Sequence, residues 1–368
     1  MSHADSRRRT AKASAQPRRA TLREVAALAG VGQITASRVL REPQRVSPAL
    51  RARVLDAMEQ LGYVANQVAS GLASGASRVV PVLIPTLAHP VYVPFLHGVH
   101  ALLDRHGYDV LLGTTEYLPQ VESRLVTTFL GWCPVGLLVA GVDHLPATRA
   151  RLQQQVAAGL PVVEFMDLAD TPLDLNVGFS HRAVGAAVAD FFADRGYRHV
   201  AYAGTLASHD LRSARRADGF RDALAARGLP SHYALRSEAP FSMALGGQLL
   251  AELLHRHPEV EAVFMANDDL AAGAIFEAQR RGIAVPEQLA VMGFNDLDIA
   301  SVVRPSITSV AVDQRGMGER AAALLLERLA GRAPEETRID IGFRIVERDS
   351  TAAAPRGRPL PADATAVR

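Results

Sequence analysis

Residues 21–41 read TLREVAALAGVGQITASRVLR, and their spacing predicts two short helices joined by a tight turn. The stretch opens with Thr21 and, three residues on, Glu24. A threonine hydroxyl in that place accepts from the N–H of Glu24, while the glutamate carboxylate accepts from the N–H of Thr21, which fixes the start of the first helix. Leu22, Val25, Ala26, Leu28 and Ala29 follow as an apolar stripe at helical spacing. Gly30 permits the left-handed backbone that ends a helix, and Val31 fills the gap between the pair. The second helix is expected from about Gln33 to Leu40, with Ile34 and Val39 inward and Gln33, Thr35, Ser37 and Arg38 outward. In helix-turn-helix proteins the second helix of such a pair enters the DNA major groove. Paired short helices also occur in bundles that bind no nucleic acid.

Further along, Ser47-Pro48 is an N-cap followed by a proline at the first helical position. A helix from Pro48 to Leu61 presents Leu50, Val54, Leu55, Met58 and Leu61 and stops at Gly62, so three short helices bury one small core. Residues 63–73 then read YVANQVASGLA. The pattern is carried by Thr21-Leu22, Val25-Ala26, Ala29-Gly30-Val31, Thr35, Ser37-Arg38-Val39-Leu40, Val46-Ser47, Arg51, Leu61-Gly62-Tyr63, Asn66 and Leu72-Ala73. It resembles the DNA-binding headpiece and hinge of the LacI family of bacterial transcriptional regulators. The resemblance continues to about Thr351.

The charge distribution agrees with that reading. The 368 residues carry a net charge of +2, but residues 1–78 hold 13 Lys/Arg against 5 Asp/Glu, a net of +8, so the other 290 sum to −6. A basic module on an acidic body is the electrostatic footprint of a nucleic-acid binder. Residues 1–20, with Arg7-Arg8-Arg9, Lys12, Arg18 and Arg19 among Ser, Ala and Gln, are expected to form a disordered basic tail that attracts phosphates regardless of sequence. An organelle transit peptide shares this Arg- and Ser-rich composition. Residues 351–368, rich in Pro and Ala, are the second expected disordered tail. There is no secretory h-region and no run of eighteen apolar residues, which points to a cytoplasmic protein. The single cysteine, Cys133, excludes an internal disulfide and a cysteine-based zinc cluster.

From Val79 onward short apolar runs alternate with longer helical patterns. Strands are expected at Val79–Ile84, Val110–Gly113, Gly136–Ala140, Val162–Phe165, His199–Ala203, Ala262–Ala266 and Ala290–Phe294. Helices are expected at Tyr92–His106, Pro119–Gly131, Ala147–Ala158, His181–Arg195, Arg212–Arg227, Ser242–His257, Asp268–Arg281 and Gln314–Ala330. That alternation implies parallel sheets with crossover helices, with ligands outside the carboxyl ends of the strands. The fold class is therefore an all-α helix-turn-helix headpiece (21–65), a hinge (66–77) and an α/β core (78–350). The resemblance implies that the core is two doubly wound parallel-sheet subdomains, like a periplasmic sugar-binding protein, joined by three crossings. These fall near Phe179, Thr308 and Gly331, giving an N-subdomain of about 78–178 and 308–330 and a C-subdomain of about 179–307 and 331–350.

Polar residues gather where strands should end: His89 and Tyr92, then Arg212, Arg215 and Arg216, then Asn267-Asp268-Asp269, then Asn295-Asp296. Each can be a helix cap. Together they suggest a cleft suited to a small polyhydroxy anion, because arginine grips a carboxylate through two hydrogen bonds. The resemblance places Arg216 at the family's effector-binding arginine and Tyr92, Asn267 and Asn295 at other pocket positions, and Arg212 joins the expected effector-binding set from its place in the polar cluster. Many members have Asp where Asn295 stands. The chain is most similar to the gluconate-operon repressor branch. This rests on residues 46–51, Gly159 to Asp167, Val177-Gly178-Phe179 and Ile341-Gly342-Phe343, most of them outside the pocket.

For DNA, Gln33 and Arg38 are expected at major-groove edges, Gln pairing adenine and Arg guanine. Ile34 is either a thymine-methyl contact or core. Thr35 and Ser37 are assigned to phosphates, which position without specifying. Gly32 replaces the family's usual Ser and brings no hydroxyl. Thr21, Arg45, Tyr63, Asn66 and Leu72 complete the expected DNA-contacting set. Residues 66–74 resemble the family hinge helix, with Leu72 as a minor-groove wedge. Ser70, Gly71, Ser74 and Gly75 make that helix marginal alone. The expected partners are double-stranded operator DNA, a small sugar acid such as gluconate and a second copy of the chain. No heptad tail after Arg348 suggests more than a dimer. No cofactor, metal or catalytic role is expected, since no H-E-x-x-H, G-x-S-x-G or phosphate-loop motif occurs, although Asp268, Asp269, Asp296 and Asp298 raise metal binding as a rival. Repression against activation, and a sugar acid against a neutral sugar, phosphosugar or purine, are not separated by the sequence.

Overall fold

A computed structural model describes residues 20–64, 77–205 and 210–351. The chain divides into two compact units, Met1–Gly75 and Ala76–Arg368. Apart from Ala20, Ser77 and Thr351, both expected tails and the hinge, including Asn66 and Leu72, lie outside the described residues.

The first unit is three helices, α1 (Leu22–Leu28), α2 (Gln33–Arg41) and α3 (Pro48–Gln60), with a single 3₁₀ turn at Pro43–Arg45. The capping box forms: Thr21 Oγ1 accepts from Glu24 N at 3.3 Å, and Thr21 N donates to Glu24 Oε2 at 2.8 Å. Gly30 adopts φ +63°, and Arg53 Nη2 on α3 donates to Ala29 O at 2.5 Å, tying the turn to α3. Val25, Ala26, Ala29, Ala36, Val39, Val54 and Ala57 form the core. The expected inward set needs correction. Ile34 is 75% exposed and Leu28 50%, with Leu55 and Leu61 also exposed. Ala36 and Val39 face inward, and Ile34, two residues before Ala36, is turned about 200° from it on a helix of 3.6 residues per turn. Small alanines let the helices approach closely, leaving no room for the larger side chains.

The second unit holds two six-stranded sheets. In chain order it runs β1 (Val79–Ile84), α4 (Tyr92–Arg105), β2 (Asp109–Thr114), α5 (Pro119–Leu130), β3 (Leu137–Ala140), α6 (Pro146–Ala157), β4 (Val162–Phe165) and β5 (Leu175–Gly178). It continues with α7 (His181–Asp194), β6 (Val200–Thr205), α8 (Leu211–Ala226), β7 (Ala234–Ser237), α9 (Met243–Arg256), β8 (Ala262–Met265), α10 (Asp268–Arg280), β9 (Ala290–Phe294) and α11 (Asp298–Val302). It ends with β10 (Thr308–Ala311), α12 (Gln314–Leu329), β11 (Arg338–Asp340) and β12 (Arg344–Val346). The sheet orders are β2-β1-β3-β4-β5-β11 and β7-β6-β8-β9-β10-β12. All pairings are parallel except β10 with β12. Each sheet is therefore a doubly wound unit, with switch points between β1 and β3 and between β6 and β8, where such folds open a crevice for ligands.

Strands β5, β7, β10, β11 and β12 and the short α11 have no counterpart in the sequence expectation. Runs of three or four residues such as RID and RIV carry no readable period. They change two of the three crossings. The first lies at Phe179-Ser180, between β5 of the first sheet and α7. β10 pairs with β9 in the second sheet, so the next crossing comes at Val312-Asp313 rather than near Thr308. β11 pairs with β5 in the first sheet and β12 with β10 in the second, so the last crossing is at Ile341-Gly342-Phe343 rather than Gly331. Helices α7 and α8 lie against each other so closely that a Cβ on Gly185 would meet the Arg216 carbonyl, and one on Gly219 the Arg182 carbonyl. That contact sets the position of the arginines on α8.

Candidate binding cleft and nucleic-acid interface

Carboxyl ends of strands from both sheets line a cleft in the second unit. One wall carries His89, Tyr92, Tyr117, Asp143, Met166 and Asp167. The other carries His181, Asp210, Arg212, Arg215, Arg216, Phe241, Asn267, Phe294 and Asn295.

The first turns of α8 place three arginines here, and each is used differently. Arg216 is 6% exposed. Its guanidinium stacks 4.1 Å from the Phe294 ring centre. Its Nη1 donates to His181 Nδ1 at 2.8 Å, and Nη2 lies 3.5 Å from Ala266 O. His181 Nε2 donates to Met166 O at 2.8 Å. With Nε2 donating and Nδ1 accepting, the imidazole is neutral, and burial followed by the nearby Arg216 charge drives its pKa well below the ordinary histidine range. Arg216 thus has only neutral partners. It makes no ion pair with a described carboxylate, and its Nε is buried with no partner among the described residues. A buried cation without a counter-charge is costly, and an incoming anion removes that cost.

Arg212 Nη2 donates to Tyr92 Oη at 3.2 Å, its Nε lies 3.8 Å from Asp210 Oδ1, and its guanidinium sits 5.8 Å from the Tyr117 ring centre. Burial works against its charge, but Tyr92 and Asp210 outweigh that and raise its pKa above the usual arginine value. Beside it lies a cavity of about 60 Å³ lined by residues including Thr115, Tyr117, Glu122 and Asp143. Arg215 points across the cleft to Asp143, with contacts of 2.7 and 2.6 Å, and to Asp167 Oδ2 at 2.5 Å.

Asn267 caps α10, its Oδ1 accepting from Leu270 N at 2.9 Å, which leaves its amide nitrogen as a donor. Asn295 is buried at φ +104°, a strained backbone for a non-glycine residue. It borders a groove of about 900 Å³ between the start of α4 and residues 311–315. His89 stacks on Phe241 with ring centres 4.5 Å apart and meets Tyr92 edge-on at 6.4 Å. Its Nδ1 is buried and has no partner among the described residues. Burial, then the Arg216 charge, lowers its pKa to about 4, so it is neutral near pH 7.

Of the five residues expected to bind an effector, Tyr92 and Arg212 are in direct contact, while Arg216, Asn267 and Asn295 are linked through sequence neighbours. Arg216 reaches Ala266 beside Asn267, and Phe294 beside Asn295 supports Arg216. His181, Asp143, Asp167, Phe241 and Phe294 were not anticipated. His181 stands at a helix start and the two aspartates in loops, positions with no periodic signal. No group of His, Cys, Asp or Glu spaced to hold a metal occurs among the described residues. Asp268 accepts from Ser309 Oγ at 2.6 Å and Leu297 N at 2.7 Å, and Asp296 pairs with Arg348 at 2.6 Å.

In the first unit Gln33, Ile34 and Arg38 are exposed and Ser37 half-buried, on one face of α2. Thr35 is half-buried, and no acid stands in the first turn of α2. The Thr21 hydroxyl and N–H serve the capping box. Arg45 is exposed and pairs with Glu42 at 3.0 Å, while Tyr63 packs against the small core.

The sequence profile described as bacterial regulatory proteins, lacI family, matches residues 21–66, and that of a periplasmic binding protein-like domain matches residues 189–351. The HTH-type transcriptional regulator GntR of Pseudomonas aeruginosa is 42% identical over 335 residues, 90% of this chain and 96% of its own length. The crystal structure of a LacI-family transcriptional regulator from Silicibacter pomeroyi aligns with a TM-score of 0.84 at 35% identity, covering 90% of this chain and 99% of its own. That of the transcription regulator GntR from Chromobacterium violaceum aligns with a TM-score of 0.70 at 39% identity, covering 74% of this chain and 98% of its own. An exposed reading helix, two doubly wound sheets around a polar cleft and these full-length likenesses agree, and the chain belongs to the LacI family of DNA-binding bacterial transcriptional regulators.

Proposed function

We propose that this regulator is a homodimeric repressor released from a palindromic operator by a small sugar acid, with gluconate the first ligand to test. The supporting observation is Arg216, a buried cation whose partners are all neutral. A ligand carboxylate supplies the missing counter-charge through two hydrogen bonds. Tyr92, Arg212, Asn267, Asn295 and the neutral His89 are assigned to its hydroxyls in this reading. A neutral sugar leaves Arg216 unpaired, which favours the acid over that alternative.

On DNA, Gln33 and Arg38 read base edges, and the exposed Ile34 meets a thymine methyl. Thr35 and Ser37 hold phosphates, with Thr21, Arg45 and Tyr63 in supporting places. Asn66 and Leu72 take the hinge contacts. Two such heads match the two half-sites of a palindrome. Because effector and operator affinities are linked, each lowers the other by the same factor.

The test is calorimetric titration of gluconate into the full-length protein and its Arg216→Ala variant. Saturable binding that drops at least tenfold in the variant is expected. A wild type that fails to bind removes gluconate, and binding unaltered in Arg216→Ala removes the role given to that arginine.

A further inference from the structure

The three arginines of α8 do not share one task. Resting on the reading of the cleft as the effector site, we infer that Arg215 is a positioning residue which latches the two subdomains together across the cleft through Asp143 and Asp167, without touching the effector.

Arg215 sits on α8, which is held to α7 on the second-sheet side. Asp143 follows β3 and Asp167 follows β4, both of the first sheet. Nη1 and Nη2 grip the two oxygens of Asp143 at 2.7 and 2.6 Å, and Nη1 also donates to Asp167 Oδ2 at 2.5 Å. This is a two-pronged pair plus a third bond, the strongest geometry an arginine offers. Asp167 is buried (its side chain is 4% exposed), and its other oxygen accepts from Leu168 N at 2.9 Å. Burial pushes the Asp167 carboxyl above the usual aspartate range, and the Arg215 charge offsets part of that rise. Guanidinium donors committed to two carboxylates are poorly placed to bind a third. Arg216, about 100° further round the helix, keeps its charge unspent.

The latch has a defined consequence. Opening the cleft separates Arg215 from both aspartates and returns them to water. The pair therefore biases the ligand-free protein toward the closed form, and an effector that enters through the open form is admitted slowly and released slowly. Arg215 and Asp143 are about one-third exposed, so salt weakens the latch.

The test begins without ligand. Hydrogen exchange by mass spectrometry on full-length protein compares wild type, Arg215→Gln, Asp143→Asn and Arg215→Lys. Peptides covering 140–145, 166–170 and 211–217 report on the cleft walls. Faster exchange there in Arg215→Gln and Asp143→Asn, intermediate exchange in Arg215→Lys and unchanged exchange in the headpiece are expected. Wild type should move toward the variants as salt is raised. Gluconate should dissociate several-fold faster from Arg215→Gln. Wild-type exchange at the cleft walls in both Arg215→Gln and Asp143→Asn overturns the latch, whatever gluconate does. Altered exchange with no gluconate binding by wild type keeps the latch and removes the ligand.

Discussion

His144 lies between two carboxylates, its Nδ1 2.7 Å from Glu122 Oε1 and its Nε2 3.3 Å from Glu164 Oε1, with its side chain 1% exposed. Burial opposes its proton, but the two glutamates prevail and lift its pKa to about 9. A raised folded-state pKa means that the stabilisation is whole below the unfolded value of 6.5 and is lost as pH climbs through about 9. His89 is the reverse case: with a pKa lowered to about 4, its contribution is present above 6.5 and lost as pH falls toward 4. The thermal midpoint is therefore expected to peak near neutrality and to fall from pH 6.5 to 9. His144→Gln should be less stable at pH 6.5 and lack most of the alkaline decline. An equal decline in the variant would remove His144 from the account. At this scale the sequence was partly legible. The cluster of arginines in LRSARR announced a charged cleft. Which of them were already committed to carboxylates was not readable, because Asp143 and Asp167 are remote in sequence and become neighbours only through β3 and β4.

Helix α2 illustrates what decides a face. Its expected inward residue, Ile34, is the one most open to solvent, whereas Ala36 is fully buried and Val39 nearly so. Hydrophobicity alone ranked Ile34 as core, but helical geometry and the small alanines of α1 assign that place to Ala36. Substitution should separate the two roles. Ile34→Ala is expected to leave urea unfolding of the protein unchanged and to weaken operator binding through loss of the apolar contact with a thymine methyl. Val39→Ala is expected to destabilise the headpiece by about 1–3 kcal/mol. Fluorescence anisotropy with an operator duplex and urea titration measure both. Loss of stability in Ile34→Ala would show that the exposed face is not free. The long helices and central strands were legible because β1, β8 and β9 are continuous apolar runs and the helices exceed two turns. The edge strands β11 and β12 were not, since their places come from pairing partners far along the chain.

The whole core is woven rather than strung. Each subdomain is completed by residues from the other end of the sequence, since α12 packs on α4, β4 and β5, and β11 pairs with β5, after the second sheet has nearly been built. Sequence reading placed three crossings but put two of them too early. A chain ended after Val312 keeps every strand from β1 to β10 yet lacks the helix that covers Phe95 and Val99 and the strand that finishes the first sheet. It is expected to retain the headpiece's circular-dichroism signal and operator contacts while its core fails to unfold cooperatively. A cooperative core transition in that fragment would contradict the weave.

The same weave sets an order of events at the ribosome. The headpiece is complete after about Tyr63, when most of the chain has yet to be made. The sensor cannot close until Val346 has cleared the exit tunnel and β12 has paired with β10. For most of its synthesis, therefore, the nascent polypeptide has a finished head able to hold DNA and no finished body able to let go.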